Sequence, residues 1–106
     1  MKNRAKDELT ESYDDIIAEN LRDDGYAADY LNDALSDSDP RHFLLALRRV
    51  AKSRKISMEK LAGKVRLTRR GLYYALSNKG NPEWSTLSGL VNALGYRMQL
   101  KPKRAG

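Results

Sequence analysis

The sequence contains no cysteine, which excludes disulfides and thiolate metal sites and is compatible with a life inside the cell. Histidine, tryptophan and phenylalanine occur once each. The single His42 falls in the first turn of an expected helix after Pro40, with no third group at the spacing of a catalytic or metal site, so it reads as a capping or surface residue. No glycine-rich phosphate loop occurs. The carboxylate pairs Asp14-Asp15 and Asp23-Asp24 are sequence neighbours in an acidic stretch, not opposed groups in a pocket. The expectation is a protein that is not an enzyme and uses no metal, cofactor or small-molecule substrate. No apolar run approaches the ~20 residues that cross a bilayer. The N-terminus has positive charge but lacks the apolar stretch of a signal peptide. A soluble, cytoplasmic protein without a membrane partner is expected.

Acidic residues are nearly missing from one part of the chain. Residues 41–106 hold only Glu59 and Glu83 against sixteen basic residues, whereas residues 1–40 hold twelve acidic residues against four basic ones. The net charge of +6 conceals this division. A segment so basic suits a polyanion, and one so acidic suits a basic surface. The 106 residues, 41% of them hydrophobic, make about one domain.

Apolar spacing lays out a mainly α fold of five to six helices. Tyr13, Ile16, Ile17 and Leu21 mark a helix from about Glu11 to Arg22, with Thr10 as a possible cap and Asp23-Asp24-Gly25 as its stop. Ala27, Tyr30, Leu31, Ala34 and Leu35 form the stripe of a second, from Tyr26 to about Ser36. Asp39 as N-cap and Pro40 as first helical residue open a third, with Phe43, Leu44, Leu47, Val50 and Ala51 on its apolar face. Ser57 caps a short helix that turns Met58, Leu61, Ala62 and Val65 inward, and Thr68 caps another that turns in Leu72, Ala75 and Leu76. Asn78 to Pro82 is a loop, after which Trp84 is expected to anchor the chain in the core. A last helix runs from Ser85 or Thr86 to Gly95. Tyr96–Lys101 alternates apolar and polar residues, the period of a strand.

The two short helices around residues 57–77 describe a helix-turn-helix. Taking Leu72 as inward and about 100° per residue, Arg70, Tyr74 and Ser77 point outward and Arg69 and Tyr73 flank them. An arginine there can donate two hydrogen bonds to guanine in a major groove about 12 Å wide, and Ser57 and Lys79 lie where phosphate contacts would fix register.

The stretch from Ser57 to Ala62 and from Leu67 to Ser77 resembles the Cro/C1-type (lambda repressor-like) helix-turn-helix. Asp29–Leu35 with Asp39-Pro40, then Leu72-Tyr73, Ala75–Ser77, Gly80–Pro82 and Ala93–Gly95, resemble the HigA-like addiction module antidote family over about residues 27–101. The resemblance implies an antitoxin that neutralises a RelE/ParE-fold toxin and represses its own operon by binding operator double-stranded DNA. By position it makes Arg69, Arg70, Tyr73 and Tyr74 the base-reading residues and Ser57, Thr68, Ser77 and Lys79 the phosphate contacts. Two positions depart from the pattern: Arg66 stands where the turn often has glycine, and Gly71 stands inside the second helix.

Three regions follow from this reading: an acidic helical segment, 1–39; a DNA-binding domain, 40–95; and a C-terminal strand and basic tail, 96–106. The first is expected to bind the toxin, with Tyr13, Ile16, Ile17, Tyr26, Tyr30 and Leu31 as apolar anchors among carboxylates. Its second helix also has the pattern of an element that completes the protein's own core. A strand without a mate leaves backbone groups unpaired, so Tyr96, Met98 and Leu100 are expected to pair across a homodimer. The other use of that tail is to lie extended on its own domain. The competing function is a stand-alone, phage-type transcriptional repressor with no toxin.

Overall fold

The computed structural model describes residues 15–77 and 79–103. Six helices occur among them and no strand. Helix α1 covers 15–20 of the described chain; α2 is Asp24–Leu35, α3 Arg41–Ser53, α4 Met58–Lys64, α5 Arg69–Ala75 and α6 Trp84–Ala93. Thr10 and Tyr13, and the start of the first expected helix, lie outside the described residues.

Local chemistry sets most of the helix ends. Asp23 caps α2 by accepting the Tyr26 N–H at 2.8 Å. Gly25 therefore sits in the first turn of α2; it does not end α1 as its composition suggests, because the Asp23 carboxylate starts the new helix two residues earlier. Pro40 has helical dihedrals (φ −61°, ψ −17°), and the Asp39 carboxylate accepts the Arg41 N–H at 3.0 Å, so Asp39 does the work of an N-cap for α3. Ser57 and Thr68 cap α4 and α5 through bonds from Lys60 N and Gly71 N.

One core joins these elements. Phe43, Leu44, Ala46, Leu47, Val50 and Ala51 of α3 meet Leu61 and Ala62 of α4, Leu72 of α5, Leu76, and Leu90, Val91 and Leu94 from α6 and its end. Leu21, Ala27 and Leu31 of the acidic segment belong to the same cluster, each 7% exposed or less. The helix α2 packs on α3, and α4 packs on both α5 and α6.

Two expectations are corrected here. Trp84 does not anchor the loop: as the first residue of α6 it is 65% exposed, and Leu87, one turn on, packs against the core instead. Tyr96–Lys101 forms no strand. Its alternation is real, with Tyr96 and Met98 half-buried and Arg97, Gln99 and Leu100 exposed, but among the described residues the chain offers no second strand to complete a ladder.

Candidate functional site

Helices α4 and α5 present the first candidate surface. Leu67 N–H donates to Ala62 O at 2.9 Å and Arg66 N–H to Gly63 O at 3.3 Å, a Schellman closure that turns the chain sharply between them. The residue in the left-handed position of that closure is Arg66, at φ +60°. The end of α6 closes in the same way, with Tyr96 N–H to Val91 O, but there the left-handed residue is Gly95. The departure at Arg66 is thus accommodated by backbone strain and leaves the turn intact.

Leu61, Ala62 and Leu72 are buried between the two helices, and Val65 and Leu67 are half-buried beside them. The opposite face of α5 is open. Arg69 and Arg70 are exposed, Tyr73 is 39% exposed and Tyr74 61%. The Arg69 guanidinium lies 5.6 Å from the Tyr73 ring centre, a cation–π contact that orients both. No carboxylate occurs between Glu59 and Glu83. This face therefore offers two planar guanidinium donors and two phenol groups, with no nearby negative charge on its own segment.

The surrounding hydroxyls are already engaged. Ser57 and Thr68 use their oxygens as helix caps, which leaves each O–H free to donate outward. Ser77 donates to Tyr74 O at 2.7 Å and accepts the Lys79 N–H at 3.2 Å, holding the loop to the end of α5. Lys79 is exposed. Gly80 is required there, since a Cβ would overlap the carbonyl oxygen of Ala75.

The acidic segment shows a mixed surface. Ile16 is 57% exposed and Tyr26 41%, with Asp15, Glu19, Asp29 and Asp33 exposed around them. Ile17 is half-buried. Tyr30 is half-buried, and its hydroxyl accepts from Arg49 at 2.9 Å, while Leu31 lies in the core at 7% exposure. At the foot of α2, Arg41 bonds both oxygens of Asp39 and holds that carboxyl down at about 2, while the Asp39 N–H and then His42 lower Asp37. His42 Nδ1 lies 2.8 Å from Asp37 Oδ2.

A clasp that the sequence did not disclose centres on Arg54. Its guanidinium donates to the Tyr96 hydroxyl at 2.7 Å, pairs with the Asp24 carboxylate at 3.0 Å and reaches the Leu21 carbonyl at 3.4 Å. The Tyr96 hydroxyl in turn donates to Asp24 O at 3.0 Å. Tyr96 is thereby fixed within its own chain. Leu100 is 97% exposed, and with Leu35 and Trp84 it rims a groove of about 920 Å³ between α2 and the C-terminal segment. Nothing in the composition marks Arg54 out, because its partners lie far away in sequence and are found only when the fold closes.

Taken together, the fold and its surfaces define a small protein of divided charge, helical without strands over the described residues, with an open cationic helix face at one place and an acidic helical segment at another. The family described as "Probable addiction module antidote protein" matches residues 10–102. This protein belongs to that family, and the description supports an antitoxin role. It is also 33% identical over 97 residues to an uncharacterized protein of Haemophilus influenzae, covering 91% of this chain and 98% of that protein. No solved structure matches it.

Proposed function

We propose that the protein is a HigA-like antitoxin that blocks a RelE/ParE-fold toxin by direct contact and represses its own operon through a Cro/C1-type helix-turn-helix formed by α4 and α5. It acts by binding and not by catalysis, in the cytoplasm of a bacterial cell. The observation that carries the DNA-binding part is the face of α5: Arg69, Arg70, Tyr73 and Tyr74 stand exposed on a helix whose other side is locked to α4. Ser57, Thr68 and Lys79 supply phosphate donors around it, while the Ser77 hydroxyl, spent on Tyr74 O, holds the loop that carries Lys79. A homodimer would present two such helices about 34 Å apart, one turn of DNA. The exposed patch of Leu35, Trp84 and Leu100 suits that contact, with Met98 behind it.

The acidic segment suits the toxin. An RNA-cleaving enzyme must be basic to hold its substrate, and Ile16 and Tyr26 are apolar groups open to a partner among carboxylates. The decisive test is co-purification from the native operon with the full-length chain tagged. A small basic protein recovered with the wild type, and lost from Ile16→Asp/Tyr26→Asp, supports toxin binding through α1 and α2. Recovery of no protein, alongside specific binding to promoter DNA, would replace the antitoxin with a stand-alone repressor.

A further inference from the structure

The outer side of α3 carries Arg48 and Lys52, four residues apart and hence about 6 Å along one helix face, followed at the helix end by Lys55. All three are exposed, and none is paired with a carboxylate among the described residues. Neighbouring Arg49 and Arg54 differ, for each is held by a tyrosine hydroxyl. The three cations border a groove of about 620 Å³ whose floor is apolar, with Leu21, Leu45, Ile56 and Met58. Asp15 of α1 and Tyr73 of α5 also line it. The groove thus shares Tyr73 with the helix face that the proposed function assigns to the major groove.

Lys55 adds an independent observation. It occupies the left-handed region at φ +57°, the position after a helix that glycine fills without strain and a side chain does not. A strained backbone that keeps a cation on the rim of a cationic groove is the pattern expected where the charge itself is used.

We infer that Arg48, Lys52 and Lys55 are phosphate contacts, extending the DNA interface from α5 along α3 to the backbone of the same duplex. The inference rests on the DNA-binding reading above. Charge decides the occupant: cations with no carboxylate partner among the described residues, over a low-dielectric floor, attract a polyanion and repel a basic toxin. Continuity through Tyr73 makes that polyanion the DNA already lying on α5.

The test is fluorescence anisotropy with the full-length protein on two duplexes, one from the region upstream of its own gene and one of random sequence, between about 50 and 200 mM salt. Each lost phosphate contact lowers the slope of log affinity against log salt by about 0.9. The triple variant Arg48→Gln/Lys52→Gln/Lys55→Gln should lower it by about 2–3 on both duplexes and leave the preference between them unchanged. Arg70→Gln should instead erase the preference. Lys55→Gly removes the charge and the strain together, so affinity should fall with no loss of melting temperature; this variant answers the objection that the triple variant is merely unfolded. A wild-type slope retained by the triple variant overturns the inference and leaves α5 as the DNA contact. An equal drop from the control Arg97→Gln/Lys101→Gln/Lys103→Gln also overturns it, since net charge alone would then account for the effect. Loss of toxin capture with DNA binding intact would give the groove to the toxin. If the wild type binds neither duplex, this inference and the DNA-binding reading fail together.

Discussion

Single residues hold the turns and the clasp. Arg66 and Gly95 occupy equivalent positions in two Schellman closures, yet one of them carries a side chain in the left-handed region. That conformation costs an L-residue about 1–2 kcal/mol, and glycine gives back part of the gain through its freer unfolded chain. Arg66→Gly should therefore raise stability by about 0.5 kcal/mol, read as a higher urea midpoint at constant slope. A fall would mean that the Arg66 side chain makes a stabilising contact. Tyr96 is the opposite case, because one hydroxyl serves two partners on two other segments. Tyr96→Phe leaves the ring in place but removes the bonds to Arg54 and to Asp24 O. The expected loss is about 1–3 kcal/mol, since one of those bonds is to a charged donor. A change within about 0.5 kcal/mol, typical of a surface position, would show that the clasp is cosmetic.

The start of α3 makes the protein sensitive to acid. Arg41 bonds to the Asp39 side chain, and its backbone N–H adds a further bond; together they depress that carboxyl from 3.8 to about 2. A carboxylate with a lowered folded pKa contributes stability that is present above its unfolded pKa and is lost as the pH falls through the folded one. For Asp39 the window runs from about 3.8 down to about 2. Melting temperature in wild type should decline across that window, and Asp39→Asn should flatten this part of the decline while lowering stability at neutral pH. Identical acid limbs for the two proteins would remove Asp39 from the account. The cap at Asp39, like those at Ser57 and Thr68, was readable from sequence because its partner amides lie two or three residues away. So were the inward residues of α3 to α5, whose spacing repeats within each helix. Trp84 and the tail were not readable, because side-chain size and alternation say what a residue favours and not whether a neighbour is there to meet it. Arg54 was invisible for the same reason at longer range: it joins positions 33 and 42 residues away. At the candidate site, the exposed face of α5 followed from helical geometry alone, whereas the cations of α3 join it only through tertiary packing.

Across the whole molecule, the division of charge does not coincide with a division of packing. The acidic segment ends near residue 40, but Leu21, Ala27 and Leu31 are buried in the core that α3, α4, α5 and α6 share. Burying two leucines and an alanine contributes roughly 5 kcal/mol, comparable with the whole stability of a small domain at about 5–15 kcal/mol. Removing residues 1–36 would also strip Asp24 from Arg54 and the hydroxyl of Tyr30 from Arg49, leaving both guanidinium groups with lost partners. A fragment of residues 37–106 should therefore lose its cooperative urea transition, or show a stability lower by about 5 kcal/mol than the intact chain. Its DNA binding should fall in parallel, although every residue of α4 and α5 remains. If the fragment instead unfolds at the same midpoint and binds DNA as the full chain does, the acidic segment is an appendage. If it fails, the surface proposed for a toxin and the surface proposed for DNA are supported by one core, and a partner that pulls on α1 or α2 necessarily loads the packing beneath α5.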